Sequence, residues 1–307
     1  MVIADKTRIG IASPHIFDGP VDMDLVRRFV RRAEDLGYAS LWTQERVTGP
    51  PVVLDPATYL AYIAGQTTKA RIGVSVFVLP RHNPIHLAKM MADVDQMSDG
   101  RLIVGVGLGG NANDLPTYGI PAERRVRRFI EQVQVMKALW TQTPANFQGE
   151  LYSLHDQNIE PKPVQKPHPP LWFGANADEA LRRAVRYGDG WTGAGSSRRD
   201  EFPRRVRLVN DLLQEAGRDR ASFPISKRVY LAIDDDEGRA LRRLTEWFGY
   251  FYGNAELAER VAVWGSAEKV GALLQEWSDL GVDEFILNPV FDMDEHLEQL
   301  AGLTGLA

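Results

Sequence analysis

Short apolar runs rich in β-branched residues alternate with longer segments whose apolar positions recur every three or four residues, and the alternation persists along nearly the whole chain. The first run, residues 8–13, stops at Pro14; from Asp22 onward Leu25, Val26, Phe29, Val30, Ala33 and Leu36 recur at helical spacing until Gly37. This predicts strand, then helix. The same criteria predict strands over 40–43, 71–79, 102–106, 171–173, 190–192, 225–233 and 284–288. They predict helices over 56–66, 84–97, 122–140, 178–187, 201–216 and 267–280, with a longer helical region over 237–263. Each strand is brief and continuously apolar, as expected where both faces are covered.

Regular βα repetition implies parallel strands with right-handed crossovers, and eight such units close into a (β/α)8 TIM barrel with the helices outside. An open doubly wound sheet is the alternative. Two segments break the repetition. Between residues 143 and 170, Pro144, Pro161, Pro163, Pro167, Pro169 and Pro170 exclude helix, so an insertion, hairpin or loop, separates the fourth and fifth βα units. Within 237–263, Trp247, Phe248, Tyr250, Phe251 and Tyr252 carry more aromatic surface than an ordinary outer helix, which suggests packing on the barrel, between subunits or over its mouth.

The chain's 307 residues fit one such domain, 1–307; 44% are hydrophobic and 25% charged, so disorder is excluded. Cysteine is absent, which removes disulfides, thiolate catalysis and cysteine-held metal sites. A net charge of -5 argues against nucleic acid as a partner. The basic runs at 27–32, 124–128 and 204–207 fall within helical patterns and are read as solvated faces. No run is long enough for a membrane span, and the first residues lack a secretory pattern, so a cytoplasmic location is expected.

Function in such a barrel sits just beyond the C-terminal ends of the strands. There the sequence offers His15; Glu45 and Arg46; His82; the run GVGLGGNAND at 105–114; and TGAGSS at 192–197. Gly193, Ala194, Gly195, Ser196 and Ser197 could form a phosphate cradle, since glycine lets backbone N–H groups surround an anion and the serines add donors ahead of a helix. The same glycines could instead serve only tight turns. GVGLGG contains GxGxxG, but no helix follows directly, so a dinucleotide fingerprint is not supported. His82 and His86 are four apart with Pro84 between, which breaks the face a metal pair would need, and no metal site is expected. Nor is there a GxSxG elbow. Glu45 with Arg46 reads either as a strand-end ion pair or as catalytic; His15 and His82 could equally donate to local carbonyls. Trp42, Phe77, Trp247 and Tyr250 are candidate pocket walls, with core packing the stronger reading.

Three long strings, RHNPIHLAKMMADVDQMSDGRLIVGVGLGG (81–110), EPKPVQKPHPPLWFGANADEALRRAVRYGDGW (160–191) and GSAEKVGALLQEWSDLGVDEFIL (265–287), resemble the bacterial luciferase-like monooxygenase superfamily, and more closely its F420- or FMN-using oxidoreductases. The resemblance implies a TIM barrel with a flavin-type ring across its mouth. It implies an irregular cis peptide under that ring at Ser75–Val76, cofactor contacts from Gly107 and Asn113, and phosphate contacts from Gly174, Ala175 and 193–197. Where relatives have an acidic residue followed by histidine, this chain has Glu45 then Arg46, and Gly110 stands where sugar-phosphate dehydrogenases carry a catalytic glutamate. An arginine stays protonated and cannot act as a near-neutral base, so proton transfer falls to His15, His82, Glu45 or water. The implied activity is F420-dependent hydride transfer to or from a small organic substrate. Alternatives are a monooxygenase using reduced FMN and a non-catalytic flavin-binding paralogue. A homodimer and a flavin or F420 reductase are the implied partners.

Overall fold

The computed structural model describes residues 3–110 and 112–306. Eight strands form a closed parallel barrel: β1 (Arg8–Ala12), β2 (Ser40–Thr43), β3 (Arg71–Val78), β4 (Leu102–Gly107), β5 (Leu171–Gly174), β6 (Gly190–Gly193), β7 (Ile225–Ile233) and β8 (Glu284–Pro289). Each pairs with its successor, and β8 returns to β1 with Arg8 opposite Glu284 and Ile11 opposite Leu287. The open-sheet alternative is thereby excluded.

The outer layer holds α1 (Met23–Asp35), α2 (Pro56–Ala64), α3 (Pro84–Met97), α4 (Arg125–Thr141), α5 (Asp178–Tyr187), α6 (Phe202–Glu215), α7 (Glu237–Tyr252), α8 (Leu257–Val261), α9 (Ala267–Asp279) and α10 (Met293–Thr304). Side-chain caps start several of them: Asp22 accepts from the Leu25 N–H, Asp55 from those of Ala57 and Thr58, and Asn83 from those of Ile85 and His86. The helical region expected over 237–263 is divided. Gly253, at φ +67°, takes the left-handed turn that ends α7, and after α8 the chain adds a short strand, Val263–Gly265, alongside β7. Helix α10 was not among the predicted elements, although His296, Leu297, Leu300 and Ala301 bury one face of it. The proline-rich insertion contains a hairpin, Ala145–Gln148 with Ser153–Gln157, and rejoins the barrel through Gln165, which bonds Asp95 of α3.

The basic runs mostly form the solvated faces expected of them. Arg32 pairs with Glu298, Arg127 with Glu150 and Arg204 with Asp178. Arg125 departs from this and turns toward the barrel mouth.

Inside the barrel, Trp42, Ile103, Trp172 and Ile286 form a separate apolar layer, with the two indoles 5.5 Å apart. Rings of this size need space that neighbouring strands must give up. A Cβ on Gly73 would lie 2.6 Å from the Trp42 ring, and one on Gly190 2.8 Å from Trp172. Beneath the indoles, the buried Glu284 carboxylate accepts from Ser40 Oγ (2.6 Å), Trp42 Nε1 (3.2 Å) and Arg8 Nε (3.1 Å). Hence the barrel is plugged below, and a cavity opens at the C-terminal strand ends. Gly73→Ala should destabilise the fold by about 1–3 kcal/mol through overpacking. Urea unfolding measures this, and combining it with Trp42→Phe should recover part of the loss; full additivity would show that the indole is not the obstacle.

Candidate active site at the barrel mouth

A cavity of about 810 Å³ opens at the C-terminal ends of the strands. Its wall at β3 is built around Val76, whose preceding peptide, Ser75–Val76, is cis, with the β3–β4 register shifting between Val74 and Phe77. Val76 projects over glycines. Added Cβ atoms on Gly107 and Gly174 would meet its methyl groups at 2.7 and 3.0 Å. Ser75, Val76, Gly107, Gly174 and Ala175 therefore come together on one side of the cavity as a flat, largely apolar surface. Asn113 belongs to a 3-10 turn, but its side chain lies outside what the structure describes.

Opposite stands the loop 193–197. The Ala194 carbonyl points into the protein and accepts from Ser197 N (3.2 Å), Ser197 Oγ (2.6 Å) and Lys227 Nζ (2.7 Å). A trans peptide holds its N–H antiparallel to its carbonyl, so the Gly195 N–H is turned outward, and Gly195 lines the cavity. Ala194 and Ser196 line it as well, whereas Gly193 packs against Phe202 and Lys227, and Ser197 is buried and engaged by its own loop. The expected pair of serine donors is thus reduced to Ser196. The following helix starts at Phe202, within one residue of the expected position, but its first turn is not among the residues lining the cavity. The helix N-terminus that does face the cavity is that of α5, where Ala177 is the N-cap without a side-chain cap.

The four candidate catalytic residues have different fates. Glu45 lines the cavity, but its buried carboxylate accepts from the Val78 N–H (3.0 Å), meets His82 Nε2 at 2.7 Å and pairs with Arg81 at 3.4 Å. It clamps the end of β3. His82 is the other half of that clamp, packed edge-on against Phe77, and is not among the cavity-lining residues. Arg46 lines the cavity, lies 4.9 Å from the Phe251 ring and donates to the Phe251 carbonyl, so it ties β2 to the end of α7. His15 is 2% exposed, lies outside the cavity wall and bonds the Ser13 carbonyl through Nδ1 at 2.6 Å. Burial, reinforced by the charge of Arg228, pushes its pKa down to about 3. A neutral imidazole of that kind is no acid at ordinary pH.

Sequence reasoning missed the polar groups inside the mouth. Arg228 is 2% exposed, donates to Asn288 Oδ1 (2.7 Å) and to the Ser75 carbonyl (2.9 Å), and leaves Nη2 without a partner. Gln44 accepts from Tyr230 at 3.0 Å while its Nε2 is unpartnered. Tyr252 bonds Tyr230, oxygen to oxygen, at 2.8 Å and is also hydrogen-bonded to Ser196. Ser196, Tyr252, Tyr230 and Gln44 thus form a hydroxyl-to-amide chain across the mouth. Burial first, then the neighbouring Tyr230, raises the Tyr252 pKa well above the usual phenol value, so it keeps its proton and acts as a donor. The alternation of side-chain direction along a strand, which puts Arg228 and Tyr230 on the same face of β7, was the available signal. Of the suggested walls, Trp42 and Phe77 are fully buried and Tyr250 is exposed; Phe251 and Tyr252 line the cavity instead.

The neutral, buried His15 makes a pH prediction. Unfolded chain binds a proton near pH 6.5 that the native state refuses until about pH 3, so stability present above pH 6.5 is lost as pH falls through that window. The slope is about 1.4 kcal/mol per pH unit. Between pH 7 and pH 5, His15→Asn should lose roughly 2 kcal/mol less than the native protein in urea unfolding. Equal losses would show that His15 is protonated when folded.

Comparison with known proteins agrees with this geometry. An uncharacterised protein of Mycobacterium tuberculosis is 38% identical over 168 residues, 54% of this chain and 58% of that relative, so the match spans less than two thirds of its length. An FMNH2-dependent dimethylsulfone monooxygenase of Pseudomonas putida is 27% identical over 231 residues, covering 73% of this chain and 62% of its own. An F420-dependent secondary alcohol dehydrogenase, solved with an F420–acetone adduct, shares the fold with a TM-score of 0.84 at 21% identity, over 98% of this chain and 99% of that one. The luciferase-like monooxygenase family model matches residues 10–259. With its closed barrel, its cis Ser75–Val76 peptide and that match, the chain belongs to the luciferase-like monooxygenase family.

Proposed function

We propose that the protein is an F420-dependent oxidoreductase that transfers a hydride between the deazaflavin C5 and a small organic substrate. The observation that carries this reading is a pair of arginines on the cavity rim, Arg125 and Arg183, neither of which makes an ion pair among the described residues. Arg125 leaves a buried Nη1 unpartnered, and Arg183 sits one turn into α5, beside its uncapped N-terminus. F420 carries a phosphodiester and an oligoglutamate tail, whereas FMN ends in one phosphate. Cations beyond the loop at 193–197 suit the longer anionic tail.

When bound, the deazaflavin gives or takes the hydride; the chain's residues position and polarise. Val76, resting on Gly107 and Gly174, offers the ring a flat apolar support. The free Nη2 of Arg228 and Nε2 of Gln44 supply donors to ring or substrate oxygens, fixed in place before the ligand arrives. Tyr252 keeps its proton and donates it to Tyr230, which donates in turn to Gln44 Oε1, so the chain from Ser196 fixes the Gln44 amide and leaves its Nε2 as the free donor. Arg46 and Glu45 hold β2 against α7 and β3, which explains how a chain without histidine at position 46 keeps an ordered mouth.

Reduced FMN with oxygen is the second reading, supported by the likeness to the dimethylsulfone monooxygenase. It leaves Arg125 and Arg183 without a role. Titration with F420 and with FMN, oxidised and anaerobically reduced, separates the two. F420 should bind more tightly, and the Arg125→Ala/Arg183→Ala double variant should lose about 1.5–3 kcal/mol per broken charged contact, at least roughly tenfold, toward F420 only. Preference for reduced FMN, or an equal loss toward both, would overturn the F420 reading. Failure to oxidise or reduce the bound cofactor with any carbonyl, imine, alkene or alcohol would favour the non-catalytic alternative.

A further inference from the structure

Lys227 lies on β7 facing away from the barrel axis, in register with Gly193 on one side and Phe285 on the other. It is 1% exposed. Its ammonium stands 5.3 Å from the Phe202 ring centre and 5.9 Å from that of Trp277, and it donates to the Ala194 carbonyl at 2.7 Å and to Ser197 Oγ at 3.3 Å. No carboxylate pairs with it among the described residues. A buried charge held only by a carbonyl, a hydroxyl and two ring faces is expensive unless something else neutralises it.

The missing charge has an evident place. Lys227 reaches the underside of the loop whose upper side presents the Gly195 N–H and Ser196 to the cavity. Glycine at 193 is what allows this, because a Cβ there would sit 3.1 Å from Lys227 Cδ and 2.8 Å from Phe202. We propose that Lys227 is the buried positive charge of an anion site formed by the loop 193–197, and that binding of an anion there draws a proton from solvent onto the lysine. The inference rests on the anion-binding role given to this loop above. Lys227 acts as a positioning residue: it fixes the Ala194 carbonyl downward, and so the outward direction of the Gly195 N–H, and it supplies charge from behind.

The surroundings favour loss of the proton when the loop is empty. From α6 the facing charges are Arg205 and its partner Glu201; α9 presents Trp277, β8 presents Phe285 and β6 presents Gly193. Past the loop, Arg198 is paired with Asp200, and Arg199 lies over Trp264. Burial, and then the like charge of Arg205, push the Lys227 pKa down to about 7. At pH 8 about nine-tenths of the empty protein then holds the amine neutral. An anion on the far side of the loop favours the charged form through its field, so binding takes up a proton and weakens as pH rises above neutrality.

Calorimetric titration at pH 8 in buffers of different ionisation enthalpy counts that proton. The two probes are FMN, whose phosphate is already a dianion at this pH, and sulfate, which does not titrate. Uptake approaching one proton per bound ligand is expected, with affinity falling up to about tenfold per pH unit above pH 7.5. Lys227→Arg keeps a permanent charge; it should retain binding with neither proton uptake nor pH dependence, an outcome that a purely structural lysine would not give. Lys227→Met should bind weakly and without uptake. Binding to the native protein without proton uptake, or uptake that persists in Lys227→Arg, would overturn the role of Lys227 while leaving the flavin or deazaflavin reading intact. Sulfate bound with uptake but no affinity for FMN or F420 would do the reverse. If neither sulfate nor either cofactor binds, both are wrong.

Discussion

Closing eight short strands around two indoles is the constraint on which the rest of this molecule depends. Trp42 and Trp172 fill the barrel's lower half only because Gly73 and Gly190 yield the volume that side chains would otherwise take. The filled floor leaves water and ligand one level to occupy, the C-terminal mouth. Glu284 completes the floor by satisfying Ser40, Trp42 and Arg8 with one buried carboxylate. A carboxylate with that many donors is a structural group, however suggestive its position in a barrel interior.

The mouth follows a different economy of charge. Its acidic residues are committed: Glu45 to the Val78 N–H, His82 and Arg81, and Asp114 to Arg81. The buried cations Arg228 and Lys227 lack carboxylate partners among the described residues, and so do the rim arginines 125 and 183. Unpaired donors in a low-dielectric site are tolerated when they meet acceptors supplied from outside. The deazaflavin proposed above, acceptor-rich and negatively charged, would meet these donors.

The arginine that follows Glu45 at the end of β2 has a structural task in this setting. Arg46 stacks on Phe251 and so holds α7 over the mouth, which brings Tyr252 to Tyr230 and Ser196. The aromatic segment that looked excessive for an outer helix is a wall of the site, with Trp247 and Phe251 stacked 4.8 Å apart behind it.

The order of strands and helices, the barrel and the glycine-bearing loops were legible along the chain because hydrophobic period and turn chemistry are local properties. So was the family, through long strings of residues in sequence order. The direction in which each polar group points was not. Whether Ser196 or Ser197 faces the ligand, or Glu45 reaches it, depends on partners thirty or more residues away, such as Lys227 under the loop and His82 beside the carboxylate. His15, Glu45 and His82 read equally well as chemistry or as struts, because residue type sets what a group can do and only its burial and its partners decide what it is free to do. That freedom is a property of the closed barrel: the sequence determined the strands that build it, and tertiary packing decided which hydrogen bonds were left open at its mouth.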